Sequence, residues 1–180
     1  MRGDLVITPT GVRFLGRRFG CTIGRGGVTR DKREGDAATP AGSHRIMDML
    51  YRPDRLRGAD LPPWARPIGL RDLWSDDPRD PDYNHLVRAP HRYGHEQMRR
   101  ADPLYDLVMI TDWNWPRAVP GKGSAIFVHS WRRPCFPTAG CVALARPDLL
   151  WIAARIQPGA RLLISRPCAS DPTATDPRRG

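Results

Sequence analysis

The amino-acid sequence predicts a mainly β protein with one or two helices. Its 180 residues suit one globular domain. The 19 prolines and 17 glycines are too many for a helix bundle and are typical of short strands joined by many turns. The clearest apolar runs have the length of strands, and only residues 146–157 show a convincing helical periodicity.

The amino-terminal third reads as short strands separated by turns. The segment Thr8-Pro9-Thr10-Gly11 has the composition of a hairpin turn between the first two strands. A polar stretch, residues 24–42, interrupts the pattern. The strands predicted in this third are residues 5–7, 12–15, 19–23 and 43–47.

The middle of the chain, residues 52–103, is rich in Pro, Arg and Asp and shows little periodicity. We interpret it as a long irregular region with a short helix near residues 95–101. Long irregular segments inside a compact domain are often functional.

The last third carries the strongest core signals. In residues 146–157, Pro147 and Asp148 favour a helix start and Pro158-Gly159 favours its end. Residues 166–180 are predicted to be a disordered tail. The strands predicted here are residues 104–111, 125–130, 142–144 and 160–165.

The net charge of +10 is carried almost entirely by arginine, because only Lys32 and Lys122 among the 29 basic residues are lysines. Such an excess indicates either an anionic partner or a solvated basic surface. The arginines are scattered, and no nucleic-acid-binding motif accompanies them, so we do not expect nucleic acid as a partner. No apolar run is long enough to span a membrane.

The four cysteines show no C-x-x-C spacing, which argues against a disulfide scaffold and allows one important thiol. His129, Cys135 and Cys141 match no common zinc-ligand spacing, so no metal is expected. The cysteines are Cys21, Cys135, Cys141 and Cys168.

The stretch 124–144 carries the candidate chemistry. A predicted strand ends near His129, and a turn of small residues, Thr138-Ala139-Gly140, precedes Cys141. A thiol is mostly protonated at neutral pH, and an imidazole can accept its proton and later return it to a leaving amine. Small side chains in the turn leave backbone N–H groups free to face an oxyanion. The alternatives are a strand histidine satisfied by the backbone and a buried structural cysteine.

These residues resemble the motif of the L,D-transpeptidase (YkuD-type) catalytic domain. His129 matches its first histidine, Thr138 its Ser/Thr, Gly140 its glycine and Cys141 its nucleophile. Ser130 lies where the family orients the imidazole through a backbone carbonyl. The segment Gly35-Asp36-Ala37-Ala38-Thr39-Pro40-Ala41-Gly42 resembles a second family motif.

The sequence also departs from the motif. Ala139 replaces a histidine, Ala143 stands where Asn or Arg is usual, and only eight residues, Ser130–Pro137, separate His129 from Thr138. A side-chain contribution to the oxyanion site is therefore expected to be missing. The departures put the donor and acceptor preference in question, while the nucleophile and base remain.

The resemblance implies a β-sandwich over residues 3–165 that uses no cofactor. It implies that Cys141 attacks a peptidoglycan stem peptide with His129 as base, Ser130 orienting the imidazole and backbone amides, including that of Gly140, binding the oxyanion. Stem peptides are the expected partners. The expected substrate contacts are Thr138, Ala139, Arg133, Arg146, Trp131, Tyr83 and His95.

Three alternatives remain open at this point. Water could replace the amine acceptor, which would make the chain an L,D-carboxypeptidase or amidase. The domain could bind the cell wall without catalysis, or it could be a basic nucleic-acid-binding module. The resemblance implies a periplasmic or cell-wall location, but the first twenty residues lack the apolar core of a secretory signal. A cytoplasmic location is therefore the other expectation.

Overall fold

A computed structural model describes residues 3–165 and is mainly β, as predicted. The described residues contain one α-helix, α1 (Arg146–Ala153), and a 3-10 turn at Gly58–Asp60. The tail predicted at residues 166–180 lies outside the described residues. The strands are β1 Leu5–Thr8, β2 Gly11–Phe14, β3 Arg17–Phe19, β4 Cys21–Thr22, β5 Val28–Thr29, β6 Thr39–Pro40, β7 Gly42–Tyr51, β8 Ala65–Pro67, β9 Asp72–Ser75, β10 Leu86–Arg88, β11 His95–Gln97, β12 Leu107–Thr111, β13 Phe127–Ser130, β14 Val142–Leu144 and β15 Arg161–Ile164.

One ten-stranded sheet organises the domain, in the order β3-β2-β1-β15-β7-β12-β13-β14-β4, with β8 paired to β7. The strands at its two ends, β3 and β4, are separated in sequence only by Gly20. The sheet therefore curls until its two edges approach each other. Two small sheets, β10-β9-β11 and β5-β6, complete the β structure.

The two faces of the central strands bury two different cores. Leu107, Met109 and Val128 face the larger core, which the curled sheet encloses together with α1. Val108 and Phe127, which alternate with them, face a second core that includes residues of the β9–β11 region. Because both faces are covered, β12 is a continuous apolar run, as is typical of strands buried on both sides.

Two sequence-based expectations are corrected. The helix predicted near residues 95–101 is wrong, because His95–Gln97 forms β11, where Glu96 pairs with Trp74 of β9. Pairing with a distant strand satisfies this backbone, and no local pattern announces it. The strand predicted at residues 19–23 is divided into β3 and β4, because the chain crosses at Gly20 from one end of the sheet to the other.

Two other elements differ in length. The strand predicted at residues 43–47 extends to ten residues in β7, which pairs with both β15 and β12. The predicted helix 146–157 ends earlier, at Ala153, although Ile156 beyond it is still buried in the larger core.

Truncating α1 in the larger core should destabilise the domain. Leu149 is fully buried there, so Leu149→Ala is expected to lower the free energy of unfolding by about 2–5 kcal/mol through lost burial and a cavity. Leu70 is 81% exposed, and Leu70→Ala is the matched control, with a change below about 0.5 kcal/mol. Chemical denaturation measures both, and equal losses would contradict this packing.

Candidate active site

The parallel pairing of β13 with β14 brings the candidate histidine and cysteine together. His129 lies opposite Ala143 in this register, and Cys141 lies two residues before Ala143. Side chains two residues apart on a strand share a face, so His129 and Cys141 project to the same side. One strand spacing and a two-residue offset place their Cα atoms roughly 8 Å apart.

His129 is buried and held in one orientation. Its Nδ1 lies 2.7 Å from the carbonyl oxygen of Ser130, and since a carbonyl only accepts, Nδ1 carries the proton. The Nε2 atom is therefore the free base. The ring of Tyr105 packs edge-on against the imidazole with centroids 5.3 Å apart. Burial lowers the pKa of His129 to about 4, so the imidazole is neutral at neutral pH.

Cys141 is also buried, and its thiol is held by backbone groups. Its Sγ donates to the carbonyl oxygen of Ala125 at 2.9 Å and accepts from the N–H of Phe127 at 3.4 Å. Burial raises the pKa of Cys141 to about 12, and the nearby carboxylate of Glu96 adds to the rise. At rest the site is therefore a neutral thiol beside a neutral imidazole.

Asn84 fixes the carbonyl that holds the thiol. Ala125 has a positive φ of 51°, a conformation that is uncommon for residues other than glycine. Its N–H donates to Asn84 Oδ1 at 2.9 Å, and the Asn84 amide in turn donates to the carbonyl oxygens of Trp113 and Asn114. Asn84 thus sets the direction of the Ala125 carbonyl toward Cys141.

Thr39, in the second family motif, anchors the turn before the cysteine. Its buried hydroxyl donates to the carbonyl oxygen of Gly140 at 2.8 Å and accepts from the N–H of Gly24 at 2.8 Å. The backbone of Thr138 adds a bond to Ile23, with its N–H 3.0 Å from that carbonyl oxygen. The motif therefore tethers the cysteine turn to the segment around Gly24.

The turn itself departs from expectation at Gly140. Its N–H donates to Thr138 Oγ1 at 3.1 Å, so it is engaged rather than free for an oxyanion. The Thr138 hydroxyl donates to the carbonyl oxygen of Cys141 at 2.6 Å. Gly140 has φ +145°, and an added Cβ would lie 3.0 Å from the carbonyl oxygen of Ala38, so this position requires glycine.

His129 and Cys141 line one cavity of about 380 Å³. The predicted contacts Trp131, Thr138 and Ala139 also line it. Ala139 contributes only a methyl group to the lining, where the motif has a histidine. The complete lining is Glu96, Arg100, Leu104, Tyr105, His129, Trp131, Arg132, Phe136, Pro137, Thr138, Ala139, Cys141 and Ala143.

Four residues predicted as substrate contacts do not line this cavity. Two are arginines with other partners: the Arg133 guanidinium lies 5.0 Å from the centre of the Phe136 ring, and Arg146 Nε donates to Asp106 Oδ2 at 3.1 Å. The Tyr83 hydroxyl is buried and donates to Glu34, and His95 Nδ1 lies 2.7 Å from the carbonyl oxygen of Tyr93. In the resting protein all four side chains therefore have partners outside the cavity or at its edge.

Several residues of the cavity lining were not predicted from the sequence, and three of them carry polar groups near His129: Glu96, Arg100 and Tyr105. The first two belong to the stretch interpreted as a short helix, and their placement follows from the pairing of β11 with β9. No local signal marks them. Tyr105 lies in the apolar run before β12, where its aromatic ring is indistinguishable from an ordinary core residue.

Two further features of residues 3–165 bear on function. They contain no group of three or more His, Cys, Asp and Glu side chains placed to hold a metal ion. No helix among them is long and apolar enough to cross a membrane.

A thiol and an imidazole share one face of a curled β-sheet beside a cavity. This arrangement is typical of an active site that uses a cysteine thiol as the nucleophile. The family model of the L,D-transpeptidase catalytic domain (YkuD) matches residues 8–164, and the chain belongs to this family. Members of the family are cysteine-dependent enzymes that act on peptidoglycan. No curated protein and no solved structure matched the chain.

Removing the Thr39 hydroxyl should loosen the cysteine turn. Thr39→Val keeps the shape of the side chain but removes two buried hydrogen bonds, so we expect a loss of about 1–3 kcal/mol in the free energy of unfolding. Thr10→Val, at an exposed turn position, is the control and should change little. Denaturant titrations that give the same value for both variants would exclude the anchoring role.

The two cysteines near the cavity should differ in reactivity. Cys135 is exposed and Cys141 is buried, and the raised pKa of Cys141 leaves little thiolate at pH 8. Iodoacetamide should therefore modify Cys135 at least about tenfold faster than Cys141, with the rate at Cys141 rising as the pH increases. Peptide mass spectrometry resolves the two sites.

The control for this comparison is the unfolded protein in denaturant, where the two thiols should react at similar rates. Faster modification of Cys141 than of Cys135 in the folded protein would contradict a buried, protonated resting thiol.

Proposed function

We propose that this chain is a peptidoglycan L,D-transpeptidase in which Cys141 forms an acyl-enzyme with a stem peptide and passes it to an amine acceptor. The observation that carries the proposal is the placement of Cys141 and an oriented His129 on one sheet face beside one cavity. Membership of the family supplies the substrate class.

In the first half-reaction, the Cys141 thiol gives up its hydrogen bond to the Ala125 carbonyl oxygen. Its sulfur then attacks the carbonyl carbon at the L-configured centre of the diamino-acid residue. Its proton passes to His129 Nε2 as the S–C bond forms. The tetrahedral intermediate collapses, the C–N bond breaks, and His129 returns the proton to the leaving amine of D-alanine. A thioester remains on Cys141.

In the second half-reaction, an amine of a second stem peptide attacks the thioester. His129 Nε2 takes a proton from this amine, the C–S bond breaks, and the same proton restores the Cys141 thiol. The products are a crosslinked peptide and the free enzyme.

The pKa values determine when the proton moves. A thiol with a pKa of about 12 and an imidazole with a pKa of about 4 do not form a stable ion pair. The proton is therefore transferred during the attack rather than before it. A buried, dry site also strengthens the hydrogen bonds that stabilise the developing charge.

The N–H of Cys141 is available for the oxyanion. Within residues 3–165, the N–H of Cys141 has no hydrogen-bond acceptor, whereas that of Gly140 is engaged by Thr138. The Cys141 N–H belongs to the residue that attacks, which places it close to the new oxyanion. We assign it the oxyanion role that the resemblance gave to both amides.

We also propose that the protein is located in the periplasm or cell wall, since assembled peptidoglycan lies there. Fractionation of the producing cells, with the protein detected by antibody, would test this part separately from the chemistry.

Acyl-enzyme formation should depend on Cys141 and not on Cys135. After mixing with a purified tetrapeptide muropeptide, intact-protein mass spectrometry should show an adduct equal to the donor minus D-alanine. The adduct should persist in Cys135→Ala, the matched control, and disappear in Cys141→Ala. His129→Gln should slow its formation by about 10²–10⁴-fold, the usual contribution of a general base.

The acceptor is identified by the products. A crosslinked dimer, or exchange of the terminal D-alanine for an added D-amino acid, would support the transpeptidase. Release of the free tripeptide alone, with acceptors present, would show an L,D-carboxypeptidase with the same site. Absence of any adduct on the folded protein would overturn the proposal in favour of a domain that binds without catalysis.

A further inference from the structure

The cavity carries two opposite charges that the proposed mechanism does not use. Glu96 is in β11 and Arg100 follows three residues after this strand. Both contact Tyr105, whose hydroxyl donates to Glu96 Oε2 and whose ring lies 5.2 Å from the Arg100 guanidinium carbon. Tyr105 in turn packs against His129. Glu96 and Arg100 are therefore linked through Tyr105 to His129, the proposed catalytic base.

One carboxylate oxygen of Glu96 makes no hydrogen bond to residues 3–165. Its Oε2 accepts from Tyr105, while Oε1 makes no hydrogen bond to residues 3–165. Among residues 3–165, the only fully buried side-chain nitrogen or oxygen atoms without a hydrogen-bond partner are Thr22 Oγ1 and Ser130 Oγ, so Glu96 Oε1 is not fully buried. Oε1 is therefore accessible, and since Glu96 lines the cavity, this acceptor is available to a ligand there.

Arg100 likewise has unused donors. Its Nε and Nη2 donate to the carboxylate of Asp102 at 2.9 and 2.8 Å, and Nη1 has no acceptor within residues 3–165. A guanidinium that is fixed on one side by Asp102 and stacked on Tyr105 is held in place for a second anion. The side chain lines the cavity together with Cys141.

The surroundings of Glu96 favour an incoming cation. Burial raises the pKa of its carboxyl, and the carboxylates of Asp76 and Glu34 add to the rise. Neighbouring negative charges and partial burial make the ionised carboxyl costly until a cation arrives. An ammonium group at Oε1 would lower that cost, so this position favours a ligand that carries one.

We infer that Glu96 and Arg100 together bind a ligand group that bears an ammonium and a carboxylate on one carbon. In the donor, this group is the free amino-acid end of the diamino-acid side chain. The ammonium donates to Glu96 Oε1, and the carboxylate accepts from Arg100 Nη1. The inference rests on the proposed function, since it names what that site selects. Arg100 thus binds the carboxylate, whereas Arg133 and Arg146, two of the substrate contacts expected from the sequence, do not line the cavity.

The test uses three donor tetrapeptides that differ only at this side-chain end: free diaminopimelate, the form with its side-chain carboxylate amidated, and the form with its side-chain amine acetylated. The measured quantity is kcat/KM for D-alanine release. The wild type should lose at least about tenfold on each modified donor, as expected for a lost hydrogen bond between charged groups.

Two variants separate the charges. Arg100→Gln should slow release from the free donor and should no longer distinguish the amidated one, while it still rejects the acetylated one. Glu96→Gln, which keeps an acceptor for Tyr105, should show the reverse pattern. A purely structural role would instead lower all three rates by one factor, and that result would overturn the inference.

The matched control is Arg99→Gln. Arg99 Nη2 pairs with Asp54 at 3.0 Å and does not line the cavity, so this variant should keep the wild-type preferences. If Glu96→Gln fails to fold by circular dichroism, the Arg100 comparison on free and amidated donors decides alone.

Failure of the inference and failure of the proposed function give different results. If the wild type releases D-alanine equally from all three donors, the proposed function stands and the inference is wrong. If the folded wild type acylates none of them, the proposed function is wrong, and the inference is overturned with it.

Discussion

The parallel pairing of β13 with β14 is the constraint on which the candidate site depends. It places His129 opposite Ala143 and puts Cys141 on the same face. Because side chains alternate along a strand, a slip of one residue would turn Cys141 into the larger core and away from His129. The register is secured by burial, since Val128 and Val142, on the opposite face, pack into that core.

The strand pairing alone does not orient the Cys141 thiol. Three sets of local contacts orient it. Thr39 ties the Gly140 turn to Gly24, and the close approach of Ala38 to Gly140 permits no side chain there. On the other side, Asn84 holds Ala125 in a strained conformation whose carbonyl oxygen accepts from the thiol. The strain is therefore located at Ala125, the residue whose carbonyl oxygen holds the Cys141 thiol.

Desolvation links the fold to the chemistry. Burial raises the pKa of Cys141 and lowers that of His129, so both groups are neutral at rest. In the mechanism that we propose, the proton therefore moves during the attack. Glu96 and Arg100, which also line the cavity, both contact Tyr105. Several arginines outside the cavity are instead paired with nearby aspartates, for example Arg52 with Asp54 and Arg161 with Asp4.

The sequence by itself determined the mainly β class, most strands of the large sheet, the helix start at Arg146 and the residues Cys141 and His129, because apolar periodicity and motif spacing are local properties. The strands β8–β11 lie in the region that the sequence analysis interpreted as irregular. Only the tertiary structure decided that His95–Gln97 is a strand, that Glu96 and Arg100 reach the cavity while Arg133 and Arg146 do not, and that the Gly140 amide is engaged. Each of these depends on a partner that is distant in sequence or on the direction of one hydrogen bond, and neither leaves a local pattern.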